Sequence, residues 1–208
     1  MHKCLNAALP FILFAISVAL ATGQSQQNNK LIGRWRSTEV SPAGVSAVFE
    51  FHGDSQLDSY SAAISEEKYQ MIGTDTILLL SGNGREKQEV EWDSQDRARI
   101  EDEAAGKSIE LTRLGKIPDT KNPLTGEWST TREWNGAKYP ARVRFFPDGK
   151  AVWITTLRTE HGRYSIHSNG IRLEVAGRPV LEGSFTVSES RLTLPNPKGN
   201  GSYSFDRF

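Results

Sequence analysis

Beyond its first 21 residues the chain holds three histidines, His52, His161 and His167, and no cysteine. Imidazoles are the side chains best suited to proton transfer or metal ligation near neutral pH. His161 and His167 lie six residues apart with Gly162 between them. Along a strand that interval separates them by about 20 Å, so a metal centre would need ligands converging from several strands. Each histidine therefore reads as a surface or capping residue, and no metal site is expected. Without cysteine there is no thiol nucleophile, thiolate ligand or disulfide. The acids Glu89, Glu91 and Asp93 alternate with Val90 and Trp92. This spacing marks the wet face of a strand, whereas acid–base catalysis needs carboxyls in contrasting environments. No Gly-x-Ser-x-Gly elbow, His-Glu-x-x-His helix, phosphate loop or dinucleotide fingerprint occurs. The expectation is a non-enzymatic protein with no catalytic residue and no cofactor.

Binding chemistry is more visible than catalysis. Trp153, Thr155 and Leu157 alternate along one strand face, with Ile154, Thr156 and Arg158 on the other. Arg142 and Arg144 flank Val143 in the same manner, and Arg172 follows later in the chain. Arginines interleaved with aromatics suit a carboxylated ligand or an acidic partner. The candidate ligand-binding residues are Trp153, Leu157, Tyr164, Arg142, Arg144 and Arg158.

The elements that would carry these residues are strands. Runs such as 45–51, 76–80, 89–92 and 108–112 alternate or stay apolar over four to eight residues, and 142–146, 151–157, 171–175 and 191–194 match them later. Between them stand Asn83-Gly84, Asn135-Gly136, Asp148-Gly149, Asn169-Gly170 and Asn200-Gly201. These dipeptides supply the positive φ angles of tight hairpins. A turn about every ten residues predicts an antiparallel meander. The stretch from Asp96 to Lys107 lacks an apolar stripe and reads as strand and turn rather than helix.

The chain also repeats itself. Leu31-Ile-Gly33-Arg-Trp35-Arg-Ser returns as Leu124-Thr-Gly126-Glu-Trp128-Ser-Thr. Lys107-Ser-Ile109-Glu-Leu111-Thr-Arg113-Leu114 returns as Gly201-Ser-Tyr203-Ser-Phe205-Asp-Arg207-Phe208, an offset of about 94 residues. Two tandem units are expected, 31–115 and 124–208, joined over 116–123 by a stiff linker with Pro118 and Pro123. Gly33, Trp35 and Arg113 would close the first unit, and Gly126, Trp128 and Arg207 the second, each indole stacking on a guanidinium between first and last strands. A Gly-x-Trp start with an arginine on the last strand resembles the lipocalins and the wider calycin group. The resemblance implies an all-β fold of two antiparallel up-and-down barrels of about eight strands each, able to hold a small apolar molecule. Lipocalins spread one barrel over a longer chain, so the strands here should be short. A single barrel built from both halves is the alternative.

The N-terminus places His2 and Lys3 before an apolar run from Ala7 to Leu20, ending in Ala19-Leu20-Ala21. This has the form of a secretory signal peptide, 1–21, cleaved after Ala21, with a polar spacer at 22–30. A secreted or periplasmic protein without a retained membrane anchor is expected. Residues 30–116 carry 11 Lys and Arg against 16 Asp and Glu, and residues 119–208 carry 13 against 9. The basic residues of the second half are scattered rather than striped, which argues against nucleic acid. The functional expectation is an exported binding protein for a small apolar or amphipathic ligand. The alternative is a protein–protein interaction or inhibitor module that uses the barrel exterior, with an acidic protein as one possible partner.

Overall fold

A computed structural model describes residues 29–81, 84–102, 106–118, 121–167, 170–196 and 201–208. The expected signal peptide, most of the spacer, and Asn83, Asn169 and Asn200 of the expected turns lie outside these residues. Among the described residues the fold is all-β. The first copy forms β1 (Gly33–Val40), β2 (Val45–Phe51), β3 (Gln56–Ile72), β4 (Thr76–Ser81), β5 (Gly84–Ser94), β6 (Arg97–Asp102) and β7 (Lys107–Leu114). The second forms β8 (Gly126–Trp134), β9 (Ala137–Phe145), β10 (Lys150–His167), β11 (Gly170–Val175), β12 (Leu181–Gly183), β13 (Thr186–Val187), β14 (Arg191–Pro195) and β15 (Ser202–Arg207).

All fifteen strands belong to one sheet, ordered β12-β11-β10-β9-β8-β7-β6-β5-β4-β3-β2-β1-β15-β14-β13, with a further β10–β3 pairing. The strand pairs with a described register are antiparallel, as the turn spacing predicts. The β8–β9 hairpin shows the local cause. Asn135 and Gly136 adopt φ of 49° and 79°, and Trp134 pairs with Ala137 across them. Both central residues are left-handed, as a two-residue type I′ turn requires.

The strands are not uniformly short. β3 has 17 residues and β10 has 18. The β3 segment contains no glycine or proline, and β10 contains only Gly162, so nothing in either sequence turns the strand back on itself. Gly162 instead serves close packing, since a Cβ there would collide with the Glu174 carbonyl on β11.

The chain divides into two compact units, and each draws on both sequence copies. One comprises 48–59 and 160–208 with the chain up to Glu39, and the other comprises 40–47 and 60–159. Strands β3 and β10 each contribute one segment to each unit. In the second unit, β3 through β10 form a ring of eight strands. Its core holds Tyr69, Ile77, Val90, Ile100, Leu111, Trp128, Val143, Phe145 and Trp153. The core of the first unit gathers Leu31, Trp35, Phe51, Leu57, Tyr164, Ile171, Leu173, Leu192, Leu194 and Phe205.

This arrangement corrects the expectation that each copy closes on itself. β1 pairs with β15, placing Trp35 opposite Arg207, and β7 pairs with β8, placing Arg113 opposite Trp128. The closing residues are those the sequence singles out, but each contact joins one copy to the other. Both copies present the same indole and the same guanidinium, so side-chain chemistry permits either pairing. The uninterrupted β3 and β10 decide between them by carrying each copy onward without a hairpin.

Candidate functional site

The two closures are nearly superimposable in their chemistry. In the first unit the Arg207 guanidinium carbon lies 4.2 Å from the Trp35 ring centroid, and its Nη1 donates to the Ile32 carbonyl at 2.8 Å. In the second the Arg113 carbon lies 3.9 Å from the Trp128 ring. Arg113 donates through Nη1 to Thr125 O at 2.8 Å, through Nη2 to Pro123 O at 2.6 Å and through Nε to Gln95 O at 3.1 Å. Each indole donates to the carbonyl four residues earlier, Leu31 or Leu124, at 2.7 Å. Both tryptophans are fully buried. Burial lowers the Arg113 pKa, with Asp96 opposing the shift. The Gly-x-Trp glycines follow from the same geometry. Gly33 and Gly126 have φ of 122° and 119°, and a Cβ would lie 2.9 and 3.0 Å from the stacked Arg207 and Arg113 Nη1 atoms. Residues 122–125 take part in the closure of the second unit, because Pro123 and Thr125 accept from Arg113 and Asn122 Nδ2 donates to Tyr69 Oη at 2.7 Å.

Above this closure the second unit opens. β7 pairs with β8 only where Thr112, Arg113 and Leu114 face Ser129, Trp128 and Glu127. Toward the start of β7 and the end of β8 the two strands part, although β7 stays paired with β6 to Lys107 and β8 with β9 to Trp134. The gap is a cleft of about 820 Å³. Ile100, Ile109 and Gln88 lie along it, the hydroxyls of Ser108, Thr112, Ser129 and Thr131 line its walls, and Lys107, Arg132 and Lys138 carry positive charge along it. This volume falls within the range typical of ligand pockets.

Arg132 is the most constrained of these groups. Its Nη1 donates to Ser65 Oγ at 3.2 Å, and its guanidinium lies 4.6 Å from the Trp153 ring centroid. Trp153 Nε1 in turn donates to Glu67 Oε2 at 3.1 Å. Ser65 and Glu67 are two residues apart on β3 and so share a face. Burial lowers the Arg132 pKa, and the Glu67 carboxylate opposes that shift. Ser65, Glu67 and Arg132 were not among the residues singled out from sequence. The β3–β10 pairing and the contact of Arg132 on β8 with both strands join segments far apart in the chain.

The residues proposed from sequence are distributed as follows. Trp153 is a core residue of the second unit, 3% exposed, and Leu157 is half-buried there. Arg142 pairs with Glu127 at 3.5 Å, Arg144 lies over the Phe146 ring at 4.8 Å, and Arg158 is exposed, all in the same unit. Tyr164 is buried in the first unit, edge-on to Phe51, with its hydroxyl donating to the His52 carbonyl at 2.7 Å. Arg172, also in the first unit, is neutralised by Glu174 at 2.7 Å and Glu182 at 2.6 Å.

The first unit also brings together a cluster that sequence spacing did not reveal. Asp58 Oδ1 lies 2.6 Å from His161 Nδ1, and Asp58 Oδ2 lies 3.1 Å from His52 Nε2. One carboxylate thus orients two imidazoles, one from each copy. Burial pushes the Asp58 carboxyl up, but the hydrogen bonds from His161 and His52 outweigh it, so the pKa is lowered. Among the described residues no group of three or more His, Cys, Asp or Glu is arranged to hold a metal ion. No described helix is long and apolar enough to cross a membrane.

No protein-family model matches the chain, and neither a curated protein nor a solved structure shows significant similarity to it.

Proposed function

We propose that the chain is an exported, non-enzymatic binding protein built from two lipocalin-like barrels, with its ligand site in the cleft between β7 and β8. The ligand class is amphipathic. Ile100 and Ile109 offer apolar surface, while Gln88, the wall hydroxyls and Lys107, Arg132 and Lys138 offer polar contacts. The single observation that carries this is the parting of β7 from β8, which leaves a pocket-sized opening in an otherwise paired ring. The fully buried closure tryptophans serve as architecture.

The test uses N-phenyl-1-naphthylamine, a neutral fluorescent apolar probe, titrated into the full mature chain. Saturable one-to-one binding is expected, together with at least tenfold weakening in Thr130→Trp, where an indole would fill the cleft. Absence of saturable binding, or binding indifferent to Thr130→Trp, would overturn the assignment. Native mass spectrometry of protein isolated from its host then reads the mass of any co-purifying ligand.

A further inference from the structure

We infer that the natural occupant of the β7/β8 cleft is an extended peptide segment, about five residues long, bound as an added strand between the two parted edges. The inference rests on the cleft being the ligand site. It starts from hydrogen-bond accounting. Over Lys107–Leu111 and Thr130–Trp134 each strand is laddered to one neighbour, β6 or β9, while the β7–β8 register stops at Thr112 and Ser129. Backbone amides and carbonyls on the two inner edges thus face the cleft at strand spacing. Unpaired edges are a liability that proteins ordinarily cover or shorten, and they are the feature that strand addition uses.

The length of the edges suits a short peptide. Five residues of edge span about 16 Å at roughly 3.3 Å per residue. Because β7 and β8 run antiparallel, one inserted strand would lie antiparallel to one edge and parallel to the other, and both ladders are available to it.

Side-chain alternation specifies the occupant. Ile109 and Leu111 on β7, and Thr130 and Arg132 on β8, are more buried than the Ser108, Glu110, Thr131 and Glu133 that alternate with them. An inserted strand would place alternate residues against Ile100 and Ile109 and the others beside the outer hydroxyls. Of the outer acids, Glu110 lies 3.7 Å from Arg99, and Glu133 faces Lys138 in the β8–β9 register. Lys107, exposed at the rim, and Arg132, half-buried, lie beyond the point where the β7–β8 register stops. Arg132 is held by Ser65 and Trp153 and has further donors in its five-donor fork. Charge complementarity therefore calls for β-branched residues at the inward positions and an acid at the inward position nearest these two cations.

The experiment uses the full mature chain and a fluorescent heptapeptide alternating threonine with valine, its last inward residue aspartate. Three comparison peptides accompany it: one N-methylated at alternate backbone amides, one with lysine in place of the aspartate, and a scrambled sequence of the same composition. Binding is read by anisotropy, and amide hydrogen exchange is followed over residues 107–111 and 130–134. Saturable binding of the parent peptide is expected, with slowed exchange at those amides and a loss of tenfold or more on N-methylation. Lys107→Glu, on the exposed rim, should weaken the aspartate peptide and strengthen the lysine peptide. If the N-methylated or scrambled peptide binds as tightly, or exchange is unchanged, the strand inference falls. If N-phenyl-1-naphthylamine binds at the cleft and no peptide does, the strand inference falls alone and the binding assignment stands. If neither binds, both fall.

Discussion

The exchange of closures between copies is open to a direct energetic test by double-mutant cycles on the four closing residues. The substitutions are Trp35→Leu, Trp128→Leu, Arg113→Met and Arg207→Met, in all four Trp–Arg combinations. Arg113 has a side chain 2% exposed and sits 3.9 Å from the Trp128 ring centroid. A desolvated cation over an indole contributes about 2 kcal/mol, and this is the coupling expected for Trp128 with Arg113. Trp35 with Arg207, at 4.2 Å, should couple similarly. The single tryptophan changes should each cost about 3 kcal/mol, combining the lost indole volume with the lost bond to Leu31 or Leu124. For Trp35 with Arg113 and Trp128 with Arg207, which belong to different compact units, the effects should add within about 0.5 kcal/mol. Urea unfolding followed by circular dichroism and tryptophan fluorescence supplies the free energies, with the two probes compared to detect separate transitions of the units. Coupling in the Trp35–Arg113 and Trp128–Arg207 pairs, with additivity in the other two, would show that each copy closes on itself and would refute the exchanged topology.

Gly126→Ala should destabilise by about 1–3 kcal/mol, because the left-handed φ of 119° is strained for alanine and its Cβ would lie 3.0 Å from Arg113 Nη1; Gly33→Ala should behave alike, and an unchanged urea midpoint in both would contradict the proposed role of the motif glycine. Tyr69→Phe removes a hydroxyl that donates to Phe146 O at 2.9 Å and accepts from Asn122 at 2.7 Å, and should cost about 1–3 kcal/mol in the same assay. Burial raises the Tyr69 pKa above its ordinary 10.0, so the unfolded chain ionises first; the corresponding stability is present below pH 10, is lost as pH rises beyond it, and should be missing from the base denaturation of Tyr69→Phe. Asp58 has the opposite sign: its pKa lies below the ordinary 3.8, so its contribution is present above that value and disappears as pH falls through the folded pKa. Acid titration of Asp58→Asn should show a shallower loss of stability below pH 3.8 than the parent, and parallel curves would remove the cluster from the account.

Much of the fold is legible from local chemistry. Alternation in segments such as 107–114 and the Asn135-Gly136 turn each act within a few residues, and they specify strands and hairpins without reference to the rest of the chain. The pairing of a Gly-x-Trp start with a late arginine is legible too, since the glycine is required by the guanidinium that crosses above it. The candidate site is less legible. Trp153 is recognisable as an aromatic on an alternating strand, but its partners Glu67 and Arg132 come from β3 and β8, and no local pattern announces them. Likewise Asp58 is unremarkable until β3 and β10 bring it between His52 and His161. The acidic first half and basic second half do not correspond to the compact units, because each unit takes strands from both.

By itself, then, the sequence determined an all-β chain with duplicated closing chemistry, because strand alternation, turn dipeptides and the Gly-x-Trp spacing are local constraints that hold in any pairing. Tertiary structure alone decided which tryptophan meets which arginine, where β7 and β8 part, and which residues share the cleft. Two copies with interchangeable partners give near-equal local energies for either closure. The choice falls to long-range strand continuity through β3 and β10 and to the packing of two separate cores, quantities that no window of the sequence contains.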